Sequence, residues 1–259
     1  MITSFQIGTN GRFGNQMFQY AAMFGLSKLK DLDIYLHSNN HELFDAFYLP
    51  SAKKANEEVK KEIKFQYKEP SFYFNTNFFN AGTKTDLYGY FQSPLYFLHC
   101  LNELEKEFNF RDEIRLEAAE QYERYRDNLP TCSIHVRRTD YLKTPEYHPT
   151  CSIDYYNNAK NIIKNSSNAK IKFLVFGDDK KWIEDNLLDE DSFFVEGNPG
   201  PLDMCMMSMC NAHIIANSSF SWWAAMLGKR NSVIAPKVWF GPQGPPNYDT
   251  IYYERWLKI

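Results

Sequence analysis

The feature that most constrains the fold is a regular alternation of strand-like and helix-like segments after Thr131. The apolar run at residues 171–176 has the length and continuity of a strand buried on both faces of a sheet, and residues 154–164 have helical spacing. Strands that alternate with helices over short links are typical of a parallel, doubly wound sheet, so we predict an α/β, Rossmann-like C-terminal half. Its strands are predicted at residues 132–136, 171–176, 192–195, 213–216 and 232–235, and its helices at residues 154–164, 180–188, 202–211 and 220–229.

The N-terminal half also begins with a strand, a loop and a helix. An apolar run at residues 2–7 is followed by a turn with Gly8, Gly11 and Gly14 and by a helix at residues 15–30. Further along, we predict a strand at residues 32–36, a solvated helix face at residues 53–68 and a helical, charged region at residues 101–126.

The chain of 259 residues is long enough for one large or two compact domains, since a typical domain has roughly 150 residues. We place the boundary at Asn128, Leu129 and Pro130, where the charged helical region ends. The predicted domains are residues 1–129 and 130–259, and the last segment of the chain is allowed to pack back on the first domain. Two facing α/β domains leave a cleft, and such clefts are common sites for small ligands.

Composition excludes several classes of protein. Lys and Arg number 29 against 32 Asp and Glu, so the net charge of −3 offers no basic excess for nucleic acid. The five cysteines are an odd number at irregular spacing, which favours reduced thiols in a cytoplasmic protein. No run of about 18 apolar residues and no secretion signal is present, so we expect membrane contact to be at most peripheral.

The sequence predicts no metal site. Cys205 and Cys210 have no second Cys or His pair at ligand spacing nearby. Two segments have the Asp-x-Asp form that binds metal–nucleotide complexes in another class of transferase. They lie at residues 31–33 and 189–191, and we interpret both as surface turns.

Polar residues follow three of the predicted strands, at the sheet edge where doubly wound folds bind ligands. Arg137 and Arg138 follow the first strand, an acidic pair follows the second, and three serines begin the helix after the fourth. The N–H groups of a helix N-terminus and the fork of a guanidinium can together hold a diphosphate. The alternatives are ordinary N-capping by the serines and a salt bridge from either arginine to Asp140. The acidic pair is Asp178 and Asp179, and the serines are Ser218, Ser219 and Ser221.

Three further polar residues each have two interpretations. His135 shares a sheet face with Arg137 by strand alternation, and it is either a site residue or a core histidine. Asp203 begins a helix, where an acidic side chain also complements the helix dipole. Arg12 is either an added anion donor or an ordinary surface arginine. The glycines around Arg12 do not have the GxGxxG spacing of a dinucleotide-binding loop.

Several segments carry a family resemblance when they are taken together. They are Gly-Arg-Phe-Gly-Asn-Gln-Met-Phe-Gln-Tyr-Ala at residues 11–21, Gly-Tyr-Phe-Gln-Ser at 89–93, His-Val-Arg-Arg-Thr-Asp at 135–140 and Ser-Ser-Phe-Ser-Trp-Trp-Ala-Ala at 218–225. In this order they resemble the bacterial α-1,2-fucosyltransferases of glycosyltransferase family 11. The resemblance implies a GT-B-like arrangement of two Rossmann-like domains and inverting, metal-independent transfer without a cofactor. It also implies GDP-fucose as the donor substrate and, as acceptor, the 2-hydroxyl of a galactose-terminated oligosaccharide or lipid-linked glycan of a bacterial surface polysaccharide.

The resemblance also implies roles for individual residues. Arg137 would hold the β-phosphate as the main catalytic group, and His135 and Asp203 would contact the guanine or ribose side. The remaining implied donor-binding residues are Arg138, Ser218, Ser219, Ser221, Arg12, Gly14 and Asn15, and the implied acceptor-binding residues are Gln92 and Tyr90.

The group that accepts the proton of the acceptor hydroxyl stays open at this stage. Asp140, Glu146 and His148 all follow the arginine pair, and a carboxylate or an imidazole would serve as the base. We place Asp140 with Arg137 as the catalytic residues, although a salt bridge to Arg138 would make Asp140 a poor base. A strongly dissociative reaction would need little base.

Two other functions compete with sugar transfer. One is a different nucleotide-dependent enzyme on the same fold, using another sugar nucleotide or NAD, although the glycine spacing argues against NAD. The other is a non-catalytic glycan-binding protein, because the rings of Phe72, Tyr73 and Phe74 could stack on sugars.

Overall fold

The computed structural model describes residues 1–37 and 42–259, and these divide into two compact units. The first unit consists of Met1–Arg111 with Asn247–Tyr253, and the second of Asp112–Pro246 with Glu254–Ile259. Each unit contains one sheet whose strands are all parallel.

The first unit is built around a five-stranded sheet with the order β3-β2-β1-β5-β4. Its strands are β1 (Ile2–Thr3), β2 (Ile34–Leu36), β3 (Ala52–Lys54), β4 (Phe65–Lys68) and β5 (Thr85–Tyr88), and its α-helices are α1 (Phe13–Lys30), α2 (Leu43–Ala46), α3 (Glu57–Glu62) and α4 (Leu101–Glu107). Short 3₁₀ turns occupy Thr76–Asn80, Pro94–Tyr96, Leu98–Cys100 and Asp249–Ile251. Helix α1 is buried along most of its length, including Gln16 and Gln19, so it forms the centre of this unit.

Two predictions for the first unit need correction. The segment 53–68 is not one solvated helix, because its ends form the edge strands β3 and β4 and only Glu57–Glu62 is helical. Edge strands tolerate charged side chains, which made these strands resemble a charged helix face. The apolar run 2–7 is a strand only at Ile2–Thr3, and the N–H of Phe5 then donates to Asp86 Oδ1 at 2.9 Å.

The second unit has a six-stranded sheet with the order β11-β10-β9-β6-β7-β8. Its strands are β6 (Thr131–Val136), β7 (Lys172–Gly177), β8 (Ser192–Phe194), β9 (Ala212–Ile214), β10 (Val233–Ala235) and β11 (Leu257–Lys258), and its α-helices are α5 (Asp112–Arg126), α6 (Ile153–Asn165), α7 (Lys180–Asn186), α8 (Gly200–Ser208) and α9 (Ser219–Leu227). This is the doubly wound parallel sheet that the alternation predicts. The edge strand β11 was not predicted, because two exposed residues carry no periodic signal.

Helix α5 lies in the second unit, whereas the sequence-based boundary at 129/130 comes after it. It packs against α8, and Gln121 Oε1 accepts a hydrogen bond from Asn198 Nδ2 at 3.0 Å. The charge pattern of α5 predicted that it is helical, but it did not predict which domain it packs on. Its contact with α8 places it in the second unit.

Candidate active site

In the second sheet, the order in which successive strands are added reverses between β6 and β9. From β6 the chain continues to β7 and β8 on one side, and β9 starts the other side of the sheet. The loops after two such strands diverge and leave a crevice at the carboxyl edge, which is where doubly wound folds bind ligands. The loops here begin at Arg137 and just before Asn217. They are joined by a 2.9 Å hydrogen bond from the Tyr141 hydroxyl to the carbonyl of Asn217.

Arg137 lies next to Tyr141, the residue that joins the two loops. Its Nη2 donates to Asp140 Oδ2 at 2.7 Å and its Nη1 lies 2.8 Å from Asp178 Oδ2. The guanidinium carbon is 5.7 Å from the centre of the Tyr141 ring, and the side chain is 18% exposed. Two carboxylates and an aromatic ring therefore hold a partly buried guanidinium in a defined orientation.

Arg138 points away from this junction. Its Nε donates to Asp179 Oδ2 at 3.1 Å, and its guanidinium carbon lies 4.4 Å from the centre of the Trp182 ring. Asp179 also caps α7 through the N–H of Trp182. The two guanidinium groups thus have different carboxylate partners, Asp179 for Arg138 and Asp140 with Asp178 for Arg137.

The three serines at the start of α9 have different environments. Ser218 is the N-cap residue, and its hydroxyl makes no capping hydrogen bond within the described residues. Ser219 is half-buried in the first turn. Ser221 is fully buried, and its hydroxyl lies 3.3 Å from the carbonyl oxygens of Ala216 and Ser218. The Ser221 hydroxyl is thus directed to the backbone of its own turn, whereas Ser218 and Ser219 lie at the start of the helix.

His135 is buried between the arginine loop and α9. It is 6% exposed, and its ring centre lies 5.3 Å from that of Phe220. Burial, with a smaller contribution from the charge of Arg137, lowers the pKa of His135 to about 3, so the ring is neutral near pH 7. Its Nδ1 has no hydrogen-bond partner among the described residues, which is costly for a buried polar atom.

Asp203 lies in the first turn of α8. Its Oδ1 accepts a hydrogen bond from Asn198 Nδ2 at 3.1 Å, and burial raises its pKa to about 7. Gly200 at the start of the same helix faces Phe220, since a Cβ at Gly200 would lie 3.5 Å from Phe220 Cε2. Phe220 thus lies next to both His135 and the start of α8.

The predicted residues of the first unit also gather at one sheet edge. There the order changes direction between β1 and β5. The Tyr90 hydroxyl donates to Asn10 Oδ1 at 2.8 Å, and Gln92 Nε2 donates to Asn15 Oδ1 at 2.7 Å. Tyr90 and Gln92, which follow β5, are therefore tied to the loop and helix that follow β1. Arg12 is the exposed N-cap residue of α1, and Gly14 is buried in its first turn.

The three candidate bases differ in their surroundings. Asp140 is in the ion pair with Arg137, and Glu146 is exposed. His148 stacks on Tyr141 with ring centres 4.6 Å apart, and burial lowers its pKa. Asp140 is therefore the candidate base that forms an ion pair with Arg137.

Carboxylates of both Asp-x-Asp segments form ion pairs with lysines. Asp33 pairs with Lys53 at 2.7 Å, Asp189 with Lys160 at 2.7 Å, and Asp191 with two further lysines. Among the described residues, no group of three His, Cys, Asp or Glu side chains is placed to hold a metal ion. Within residues 1–37 and 42–259, no helix combines the length and apolar character needed to cross a membrane.

Sequence reasoning did not assign roles to several residues of this site. The sequence shows Asp178 as an acidic residue after a strand. It does not show that Asp178 accepts hydrogen bonds from the N–H of Arg138 at 2.8 Å and from the hydroxyl of Thr139 at 2.7 Å. Tyr141, Asn217 and Phe220 carry no pattern that separates them from core residues. Their contacts depend on strand order, which is a property of the tertiary structure.

A family model for glycosyl transferase family 11 matches residues 1–259. The chain belongs to this family. Its relatives include the O-antigen biosynthesis glycosyltransferase WbnK of Escherichia coli, with 27% identity over 96% of this chain and 98% of that protein. The α-1,2-colitosyltransferase of Escherichia coli is 30% identical over 96% of both chains. The family 11 resemblance and the prediction of a glycosyltransferase are therefore confirmed.

Two solved structures have a similar fold. The family 11 chain matches NodZ from Bradyrhizobium with a TM-score of 0.59 and 12% identity, over 95% of this chain and 96% of that one. It matches POFUT1 in complex with GDP-fucose with a TM-score of 0.54 and 12% identity, over 100% and 97%. At these identities the likeness concerns the fold, and it confirms the prediction of two Rossmann-like α/β halves.

Proposed function

We propose that this family 11 enzyme transfers L-fucose from GDP-fucose to the 2-hydroxyl of a terminal galactose, with inversion and without a metal ion. The observation that carries the proposal is the position of Arg137. Its guanidinium lies at the point where the second sheet changes direction, beside the loop that leads into α9. A fixed guanidinium near a helix N-terminus is a common arrangement for binding a diphosphate, which supports the proposal.

In this proposal the second unit binds the nucleotide. Arg137 and the start of α9, with Ser218 and Ser219, hold the diphosphate. Arg138, in contact with Asp179 and Trp182, keeps the arginine loop in position. His135 supplies its buried Nδ1 to a hydroxyl of the nucleoside, which would satisfy an otherwise unpaired atom. Asp203 accepts hydrogen bonds from the guanine or the ribose.

The first unit contributes the acceptor side. Tyr90 and Gln92 bind the galactoside, since hydroxyl and amide groups match the donors and acceptors of a sugar. Arg12, Gly14 and Asn15 approach the diphosphate or the fucose. The hydrogen bonds from Tyr90 to Asn10 and from Gln92 to Asn15 lie within the first unit and support grouping these residues as its contribution.

The reaction follows from these positions. Negative charge develops on the GDP leaving group, and Arg137 stabilises it in the place of a divalent ion. In this scheme the diphosphate displaces Asp140 from Nη2 of Arg137, while Asp178 keeps its ion pair with Nη1 and holds the guanidinium in place. We infer that the released Asp140 carboxylate then accepts the proton of the galactose 2-hydroxyl as that oxygen attacks the anomeric carbon.

The test is a transfer assay with purified protein, GDP-fucose and a panel of galactosides, with EDTA and without added metal. The expected product is an α-1,2-fucosylated galactoside, identified by linkage analysis, with GDP released in equal amount. GDP release across the panel only with a different sugar nucleotide would contradict the proposal.

A second donor is supported by one observation, the 30% identity to an α-1,2-colitosyltransferase. Colitose is L-fucose without its 3-hydroxyl, so GDP-colitose belongs in the same assay. A site that hydrogen-bonds the 3-hydroxyl discriminates by about 10⁴ or more in kcat/KM, whereas an apolar site discriminates by roughly 10² or less. The ratio of the two kcat/KM values therefore identifies the donor.

We also propose the setting in which the enzyme acts. The name of WbnK supports an O-antigen precursor as the acceptor, and we propose that this precursor is lipid-linked. We expect the reaction to take place in the cytoplasm, with the enzyme in peripheral contact with the membrane that carries such an acceptor.

The role of Asp203 predicts a pH dependence of GDP affinity. Guanine N–H and ribose O–H groups are donors, so they require the carboxylate, which predominates above the raised pKa of about 7. GDP affinity should therefore fall as the pH drops through about 7, more steeply than the titration of the β-phosphate of GDP alone would cause. Calorimetric titration with GDP at pH values from 5.5 to 8.5 measures this change in affinity. Asp203→Asn should give weaker binding without this additional slope, while the exposed Asp154→Asn should bind like the wild type. The full wild-type slope retained in Asp203→Asn would exclude Asp203 as the group.

A further inference from the structure

The segment after β5 has an unusual backbone. Phe91 has φ +53°, in the left-handed region that non-glycine residues rarely adopt, and it is fully buried. The segment lies at the carboxyl edge of the first sheet, next to the loop after β1. A conformation of this kind persists only where surrounding contacts enforce it, and such positions cluster at functional sites.

The carboxylate of Glu69 supplies those contacts. Glu69 directly follows β4, the neighbour of β5. Its Oε2 accepts hydrogen bonds from the N–H groups of Tyr90 at 2.7 Å and Phe91 at 3.0 Å, and its Oε1 lies 3.1 Å from the same N–H of Phe91. The approach is close, because a Cβ at Gly89 would lie 2.3 Å from the Cβ of Glu69.

The side chains held in this way reach the residues after β1. Tyr90 and Gln92 hydrogen-bond Asn10 and Asn15, as described above, and the carbonyl of Gly89 accepts hydrogen bonds from Gln6 and from Gln19, the latter at 3.3 Å. Glu69 itself contacts only the backbone of the segment in these bonds. A change at Glu69 therefore acts on the two asparagines through Tyr90 and Gln92.

The titratable groups that face Glu69 are phenols. They are those of Tyr67 on β4 and Tyr96 in the turn Pro94–Tyr96, whereas the hydroxyl of Tyr90 donates to Asn10 Oδ1. Lys68, the preceding residue, has its Nζ 5.8 Å from the centre of the Tyr88 ring. Burial raises the pKa of Glu69 to about 7, which the two backbone N–H groups partly oppose. Protonation would turn one carboxylate oxygen into a donor that faces N–H donors.

We propose that Glu69 is a positioning residue for acceptor binding, whose carboxylate holds the segment 89–92 so that Tyr90 and Gln92 meet the galactoside. The inference rests on the proposed function, in which these two side chains bind the acceptor. No assignment to Glu69 follows from the family motifs, since it lies outside all of the matching segments.

The experiment compares Glu69→Gln with Glu107→Gln. Glu107 is a buried carboxylate of the same unit that binds Tyr20 and Ser51, so its variant makes the same chemical change away from the segment. Acceptor KM and kcat are measured at saturating donor, GDP affinity by calorimetry, and folding by the melting temperature. We expect Glu69→Gln to raise acceptor KM about tenfold or more, with a smaller change in GDP affinity because Gln92 also contacts Asn15. The cause is that an amide oxygen replaces a charged acceptor and its NH₂ opposes the N–H groups.

A pH profile of the wild type tests the same inference without a variant. Acceptor KM at saturating donor should rise as the pH falls through about 7, where Glu69 takes up a proton, and Glu69→Gln should lack this rise. A wild-type acceptor KM that is constant from pH 5.5 to 8.5, or an equal rise in KM in both variants, overturns the inference. Absence of transfer by the wild type with any GDP-sugar instead refutes the proposed function.

Discussion

Replacement of Arg137 by alanine is expected to lower kcat by about a hundred- to a thousandfold, the usual cost of removing one group that stabilises charge in a transition state. The guanidinium is held by Asp140 and Asp178 at 2.7 and 2.8 Å, so its orientation is set before the donor binds. Preorganised charge of this kind acts on the leaving group without reorganisation during the reaction. Its removal also leaves two carboxylates near the diphosphate, which adds repulsion to the lost attraction.

Steady-state kinetics with GDP-fucose and a galactoside acceptor measure this effect. Arg137→Lys should recover only part of kcat, because an ammonium keeps the charge but not the two-pronged geometry. Arg124→Ala is the matched control, since Arg124 is an exposed arginine of the same unit in a surface pair with Glu120 and should leave kcat unchanged. A kcat within threefold of the wild type in Arg137→Ala would refute the role of Arg137.

Gly25→Ala is expected to destabilise the first unit by about 3 kcal/mol or more, although alanine normally stabilises a helix interior by about 1 kcal/mol. Gly25 lies in α1, where its missing side chain lets the turn Pro94–Tyr96 approach. A Cβ there would lie 2.1 Å from the carbonyl oxygen of Tyr96 and 3.1 Å from the Cα of Phe97. Both obstacles are backbone atoms, so relief requires a shift of the turn or of the helix.

Thermal unfolding tests this prediction, and the melting temperature should fall by about 6–12 °C if the loss is near 3 kcal/mol. Gly82→Ala is the control, because no described atom lies within 4 Å of the Cβ that it would add. An equal melting temperature for both variants would contradict the close approach of α1 and the turn. A higher melting temperature for Gly25→Ala than for the wild type would mean that helix propensity outweighs packing at this position.

The second unit was more readable from its sequence than the first. Its central strands β6, β7, β9 and β10 are buried on both faces, so they form compact runs such as the apolar run of β7, and the intervening helices have the usual 3.6-residue spacing. In the first unit the edge strands β3 and β4 are exposed and carry lysines, and their signal is that of a charged helix. The prediction was therefore accurate where burial on both faces imposed a pattern and inaccurate where edge position removed it.

The candidate site shows the same division. The order of strands and helices, the position of the His-Val-Arg-Arg-Thr-Asp segment after a strand and the membership in family 11 are all readable from the residues in order, because period and motif are local properties of a chain. Three contacts could not be read in this way. They are the ion pair of Arg137 with Asp178, the inward hydrogen bond of the Ser221 hydroxyl, and the hydrogen bond of the Glu69 carboxylate to the N–H of Phe91. Each of those contacts joins groups brought together by strand order or by the turn of a buried backbone. Such neighbours exist only once the sheets have formed.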